Sequence, residues 1–157
     1  MSVVRFIPQV NRLAKAMAGP GGKKASEAIA DAQAGLDTIA PPCVEAIDEA
    51  LLRIEAATAA AGPLAEGRSE AIYRDANRIF GLGGLFGLDD MGKVAWSLCE
   101  LIDLSAGTAP SARAAIDAHV RSLRLLRFGA LPEVERAAVL AGLDRLLAHV
   151  RGEAAEA

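Results

Sequence analysis

The chain is short of aromatic residues, cysteine and histidine, and it has no long apolar run. Phe, Trp and Tyr make up 4% of its 157 residues, with a single tryptophan, Trp96. Scarce aromatics beside abundant Ala and Leu disfavour sheet and direct the chain to an all-helical fold. Cys43, Cys99, His119 and His149 stand singly, without the spacing a zinc site needs. The two cysteines read as small core residues of a reducing compartment, and neither metal nor cofactor is expected. No stretch approaches the roughly 18 uninterrupted apolar residues of a membrane-spanning helix. Arg5, Pro8, Asn11 and Arg12 interrupt the N-terminus where a signal peptide would carry its apolar segment. A net charge of −3 argues against nucleic acid as the main partner. These exclusions lead to the expectation of a cytoplasmic protein that does not enter a membrane.

What the chain does carry is helical periodicity. Residues 1–24 read as a basic N-terminal arm with Arg5, Arg12, Lys15, Lys23 and Lys24, no acidic residue, and an apolar knot of Val3, Val4, Phe6 and Ile7. A short helix from about Pro8 to Met17, ended by Gly19-Pro20-Gly21-Gly22, fits this punctuation. The arm is expected to lie on the body; a partner-binding tail is the other use of such a segment.

Residues 25–151 read as a helical bundle domain. Ser26 opens a helix with an apolar face of Ala25, Ile29, Ala32, Leu36 and Ile39, which Pro41-Pro42 should break or kink. The stripe resumes at Val44, Ile47, Leu51, Ile54 and Ala57 and ends at Gly62-Pro63. A third helix from about Gly67 or Arg68 buries Ile72, Ala76, Ile79 and Gly83. Asp89 is expected to cap the fourth, with Met91, Ala95, Leu98, Ile102 and Ser105 inward. Trp96 falls almost opposite Leu98, so either the apolar knot of the arm covers it or it is an exposed binding residue; the former is expected.

Gly107 to Pro110 forms a turn before a fifth helix with Ile116, Val120, Leu123 and Leu126 inward. Beyond Pro132, a sixth buries Val139, Leu140, Leu143, Leu146, Leu147 and Val150. Residues 152–157 are small and acidic and should fray. The expectation is an all-α, antiparallel four-helix-type bundle with additional helices. The pattern does not specify an oligomeric state.

One stretch breaks the helical rules. Gly81, Gly83, Gly84 and Gly87 crowd into seven positions between helices three and four. If most of them are helical, they cost on the order of 2–3 kcal/mol, which close packing, a turn or an approaching partner would have to offset. The run is not a phosphate-binding loop. It follows a helix rather than a strand, and Leu88 and Asp89 stand where Lys and Ser/Thr would be needed.

Ala76-Asn77-Arg78-Ile79-Phe80-Gly81-Leu82-Gly83-Gly84-Leu85-Phe86-Gly87 resembles the signature of the histidine-containing phosphotransfer (HPt) domain, roughly Ala-His-x-Leu-Lys-Gly-Ser-x-Gly-x-x-Gly. Ala76, Ile79, Gly81, Gly84 and Gly87 match it, and Met91, Ala95 and Leu98 fit the helix that follows. The resemblance implies a helical bundle whose small-residue face lets a response-regulator receiver come close. Two departures change its meaning: Asn77 stands at the phospho-histidine position, and Phe80 at the lysine that would steady the phosphate. An amide has no nucleophilic nitrogen for a phosphoryl group. The resemblance therefore implies a pseudo-phosphotransferase, a non-catalytic docking module of two-component, phosphorelay or chemotaxis signalling. Its partner would be a receiver domain or a histidine kinase. Tyr73, Arg74, Asn77, Arg78, Phe80, Gly81 and Gly84 would form the partner-binding patch.

Three alternatives stand beside it. The first is a structural or interaction bundle with no phosphorelay link, in which the glycines serve helix packing alone. The second is a receiver phosphatase, which needs an acid and an amide about one turn apart; Asp75 points elsewhere and Glu70 is two turns from Asn77. The third is phosphotransfer through His119, which has the preceding alanine but Ser122 and Leu123 where Lys and Gly belong.

Overall fold

In the computed structural model the described residues are 11–17, 19, 22–59, 66–105 and 111–156. They form α1 (Arg12–Met17), α2 (Ala25–Ala59), α3 (Glu66–Gly83), α4 (Asp89–Ser105), α5 (Ala112–Phe128) and α6 (Glu133–Glu156), with no strand among them. The apolar knot at Val3–Ile7, the helix start at Pro8 and the turns at Gly62-Pro63 and Gly107–Pro110 lie outside the described residues. By contacts the chain divides into residues 1–38 and residues 39–157, with the boundary inside α2.

In residues 1–38, side chains open both helices. Asn11 accepts from the Ala14 amide at 2.9 Å, as an N-cap does. The Glu27 carboxylate reaches back to the Lys24 amide at 3.3 Å, so Lys24, and not Ser26, precedes the first turn of α2. The expected apolar face of this part of α2 is not buried. Ala25, Ile29 and Ala32 are exposed, Ile29 by 69% of its surface, and Leu36 is half-buried. Nor do the prolines break the helix, for α2 runs through Pro41 and Pro42 as 35 continuous residues. The carbonyls that lose their donors belong to Asp37 and Thr38, which are exposed together with both prolines, so water can satisfy them.

Residues 39–157 hold the core. The later part of α2 contributes Ile47, Ala50, Leu51 and Ile54, α3 contributes Ile72, Ala76 and Ile79, and α5 contributes Ile116, Val120 and Leu123. α4 packs against α3, α5 and α6 and is buried on most of its circumference. On α6 the inward positions are Leu143, Leu147 and Val150; Leu146, expected inside, lies at the edge of that stripe and stays exposed.

Arginine–carboxylate pairs tie the helices together and reveal their directions. Asp48 meets Arg127 at 2.6 Å, Glu55 meets Arg124 at 2.9 Å, and Arg113 donates to the Thr58 carbonyl, so α2 and α5 run antiparallel. Asp90 pairs with Arg136 and Glu100 with Arg151, so α4 and α6 run parallel. Arg53 forks onto Asp75 and joins α2 to α3. Such exposed pairs each contribute roughly 0–1 kcal/mol, which suits register better than stability. The C-terminal segment expected to fray continues α6 to Glu156, where Glu153 accepts from the Ser111 hydroxyl at 2.6 Å.

Candidate functional site

α3 has two faces set by its period of about 3.6 residues. Ile72, Ala76, Ile79 and Gly83 recur at three- and four-residue spacing and are all buried. Tyr73, Arg74, Asn77, Arg78, Phe80 and Gly81 occupy the other side and are all exposed.

The glycine run closes this helix and turns the chain into α4. α3 ends at Gly83, and residues 84–87 form a turn. The Leu88 amide donates to the Gly83 carbonyl at 2.9 Å, and Gly87 has φ +72°; together they make a Schellman-type closure with glycine in the left-handed position. Gly83 lies against the start of α4. A Cβ there would sit 3.0 Å from the Leu88 carbonyl oxygen and 3.2 Å from the Gly92 nitrogen. Gly84, expected in line with Gly81 on the helix, belongs instead to the turn, because the chain has already begun to reverse. Asp89 is likewise not the cap of α4. The Leu88 carbonyl accepts from Gly92, which places Asp89 and Asp90 in the first turn, where carboxylates suit the positive end of the dipole.

Gly81 has no such explanation, since nothing among the described residues lies within 4 Å of the position its Cβ would take. At Gly84 the nearest atom is an Asp89 carboxylate oxygen at 3.9 Å, an ordinary contact. Both are exposed.

The face extends beyond α3. Phe80 packs on Trp96 of α4 with ring centroids 5.1 Å apart and planes tilted by 45°. Trp96 keeps 55% of its surface open and Phe80 43%. Trp96 is therefore exposed; the knot expected to cover it lies outside the described residues. Beside this pair a groove of 780 Å³ runs between the end of α3, α4 and α6, lined among others by Phe80, Gly84, Trp96, Leu140 and Leu147. The same face is cationic, with Arg74 and Arg78 forming no ion pair among the described residues. Sequence reasoning named the α3 residues but not the groove wall on α6. The one available signal on α4 was an aromatic on the polar side of an amphipathic helix.

Of the other reactive side chains His119 and Cys99 are enclosed, while Cys43, expected in the core, is only half-buried. His119 is fully buried, donates from Nδ1 to the Ala115 carbonyl and accepts the Ser97 hydroxyl at Nε2, both at 2.8 Å. Desolvation lowers its pKa, with an opposing hydrogen bond to Ala115, so it stays neutral with both ring nitrogens engaged. Burial pushes the Cys99 thiol up to about 11, which keeps it protonated and unreactive. His149, by contrast, is exposed and sits 3.2 Å from Glu153. Among the described residues no group of three or more His, Cys, Asp or Glu is placed to hold a metal ion. No helix there is long and apolar enough to cross a membrane. Comparison with family models, curated proteins and solved structures gives no match for this chain.

Proposed function

We propose that the chain is a non-catalytic, HPt-like module that docks a receiver domain or a histidine kinase of two-component or chemotaxis signalling through the outer face of α3. In this reading the later part of α2, with α3, α4 and α5, is the four-helix bundle and α6 is an addition. The antiparallel ties between α2 and α5 support that arrangement.

The observation that carries the reading is Gly81. A glycine inside a helix costs roughly 0.5–1 kcal/mol relative to alanine, and no neighbour among the described residues requires one here. Close approach of another protein gives the missing reason, and exposed Phe80 and Trp96 are side chains suited to such a contact. Asn77, one turn before Gly81, offers an amide where a phosphorylatable histidine would stand. His119 supplies no substitute, with both nitrogens engaged inside the core.

The test is binding of purified receiver and kinase domains by the wild type and by Gly81→Arg. The expected result is binding lost by at least about tenfold with a melting temperature no lower than that of the wild type. Undiminished binding removes this surface from consideration. The close crossing of Gly83 and Gly92 favours a second reading, a plain structural bundle. That reading predicts no partner binding and no change of phenotype in Arg74→Ala or Asn77→Ala.

A further inference from the structure

We infer that the group received by the α3 face is anionic, and that the module prefers a receiver in its phosphorylated form. This rests on the docking reading above and adds the chemical state of the partner to it.

Arg74 and Arg78 lie four residues apart on one exposed face, where like charges repel. Of the other arginines of residues 39–157, Arg53, Arg124, Arg127, Arg136 and Arg151 each reach a carboxylate on another helix, while Arg121 and Arg145 are exposed singly on α5 and α6. Arg74 and Arg78 reach none among the described residues. Glu70, one turn before Arg74, does not pair with it, and Asp75 is already held by Arg53. Asp89 stands at the far end of the face, beyond Gly84.

Asn77, next to Arg78 and one turn beyond Arg74, is exposed and makes no hydrogen bond to the described residues. Two guanidinium forks and an amide offer a cluster of N–H donors with open space beside them at Gly81. That set suits a phosphoryl group, with its higher charge and several acceptor oxygens, better than an unmodified carboxylate. The amide nitrogen is not a nucleophile, so the phosphoryl group stays on the partner. The contact reads the modification without consuming it.

The experiment titrates a panel of tryptophan-free receiver domains into the full chain, with and without magnesium and beryllofluoride as the acyl-phosphate mimic. Fluorescence of Trp96, the single tryptophan, reports binding. The expected result is a Kd about tenfold lower with beryllofluoride. Arg74→Ala/Arg78→Ala should still bind but lose the difference, and Arg74→Lys/Arg78→Lys should keep part of it. Equal affinity for both states, or preference for the unmodified receiver, overturns this inference and leaves docking standing. Absence of binding to every receiver in both states overturns receiver docking as well.

Discussion

Gly81 and Gly83 are separated by one residue and by about 200° around α3, and the protein treats them in opposite ways. Gly83 is enclosed, with the backbone of Leu88 and Gly92 where a side chain would begin. Gly81 opens onto empty space in line with Asn77. A glycine cluster is therefore not one feature. Gly83 and Gly87 are accounted for by the geometry of the α3–α4 turn, one by close approach and the other by its positive φ. Gly81 and Gly84 are not, and these two belong to the proposed docking surface.

Four substitutions or conditions would break or sharpen this contrast. The largest effect belongs to Ile79→Ala, on the enclosed side beside Gly83. Ile79 is fully buried, so its truncation should cost about 2–5 kcal/mol in denaturant unfolding. A cost under about 1 kcal/mol would mean that this face of α3 is loosely packed. Gly83→Ala comes next. Its Cβ would press on backbone rather than on a flexible side chain, for an expected loss of about 1–3 kcal/mol. An unchanged melting temperature would show that α3 and α4 can separate without penalty.

Gly81→Ala should act in the opposite direction. It gains roughly 0.5–1 kcal/mol from helix propensity alone, since the position is open. A loss of stability there would reveal a contact that the fold does not contain. Last comes pH, which acts on the core and leaves the outer face alone. Desolvation lowers the pKa of folded His119 below its ordinary value of 6.5. The unfolded chain then takes up more protons as the pH drops through that value, so stability is full above it and declines below. His119→Gln should flatten this limb in urea titrations between pH 7 and 5. A limb that persists in the variant would place the titrating group elsewhere.

The inward residues of α3, α4 and α5 were legible from spacing because burial along a helix follows a fixed angular period. The exposed set of Tyr73, Arg74, Asn77, Arg78, Phe80 and Gly81 was legible for the same reason, as the complement of that stripe. The early part of α2 was misleading. Ala25, Ile29, Ala32 and Ile39 have the spacing of a buried face, yet periodicity describes which residues share a side and says nothing about whether another element arrives to cover it. Pro41-Pro42 misled in the opposite sense. The carbonyls orphaned by the two missing donors are exposed to water here, and exposure is not written in a dipeptide. Gly84 was placed by extending the helical period past Gly83, where α3 ends and the turn that Gly87 completes begins.

By itself the sequence determined an all-helical chain, the inner stripe of most helices and the outer face of α3, since these depend on composition and on local geometry. Tertiary structure decided the rest. It brought Trp96 onto Phe80 across two helices, enclosed His119 with Ser97 as its partner, and left Arg74 and Arg78 without a carboxylate among the described residues. It also divided the glycines into those the fold requires and those it does not. Each of these outcomes depends on how closely two helices approach and at which level they cross. That distance is set by the whole packed core, and no local window of the chain contains it.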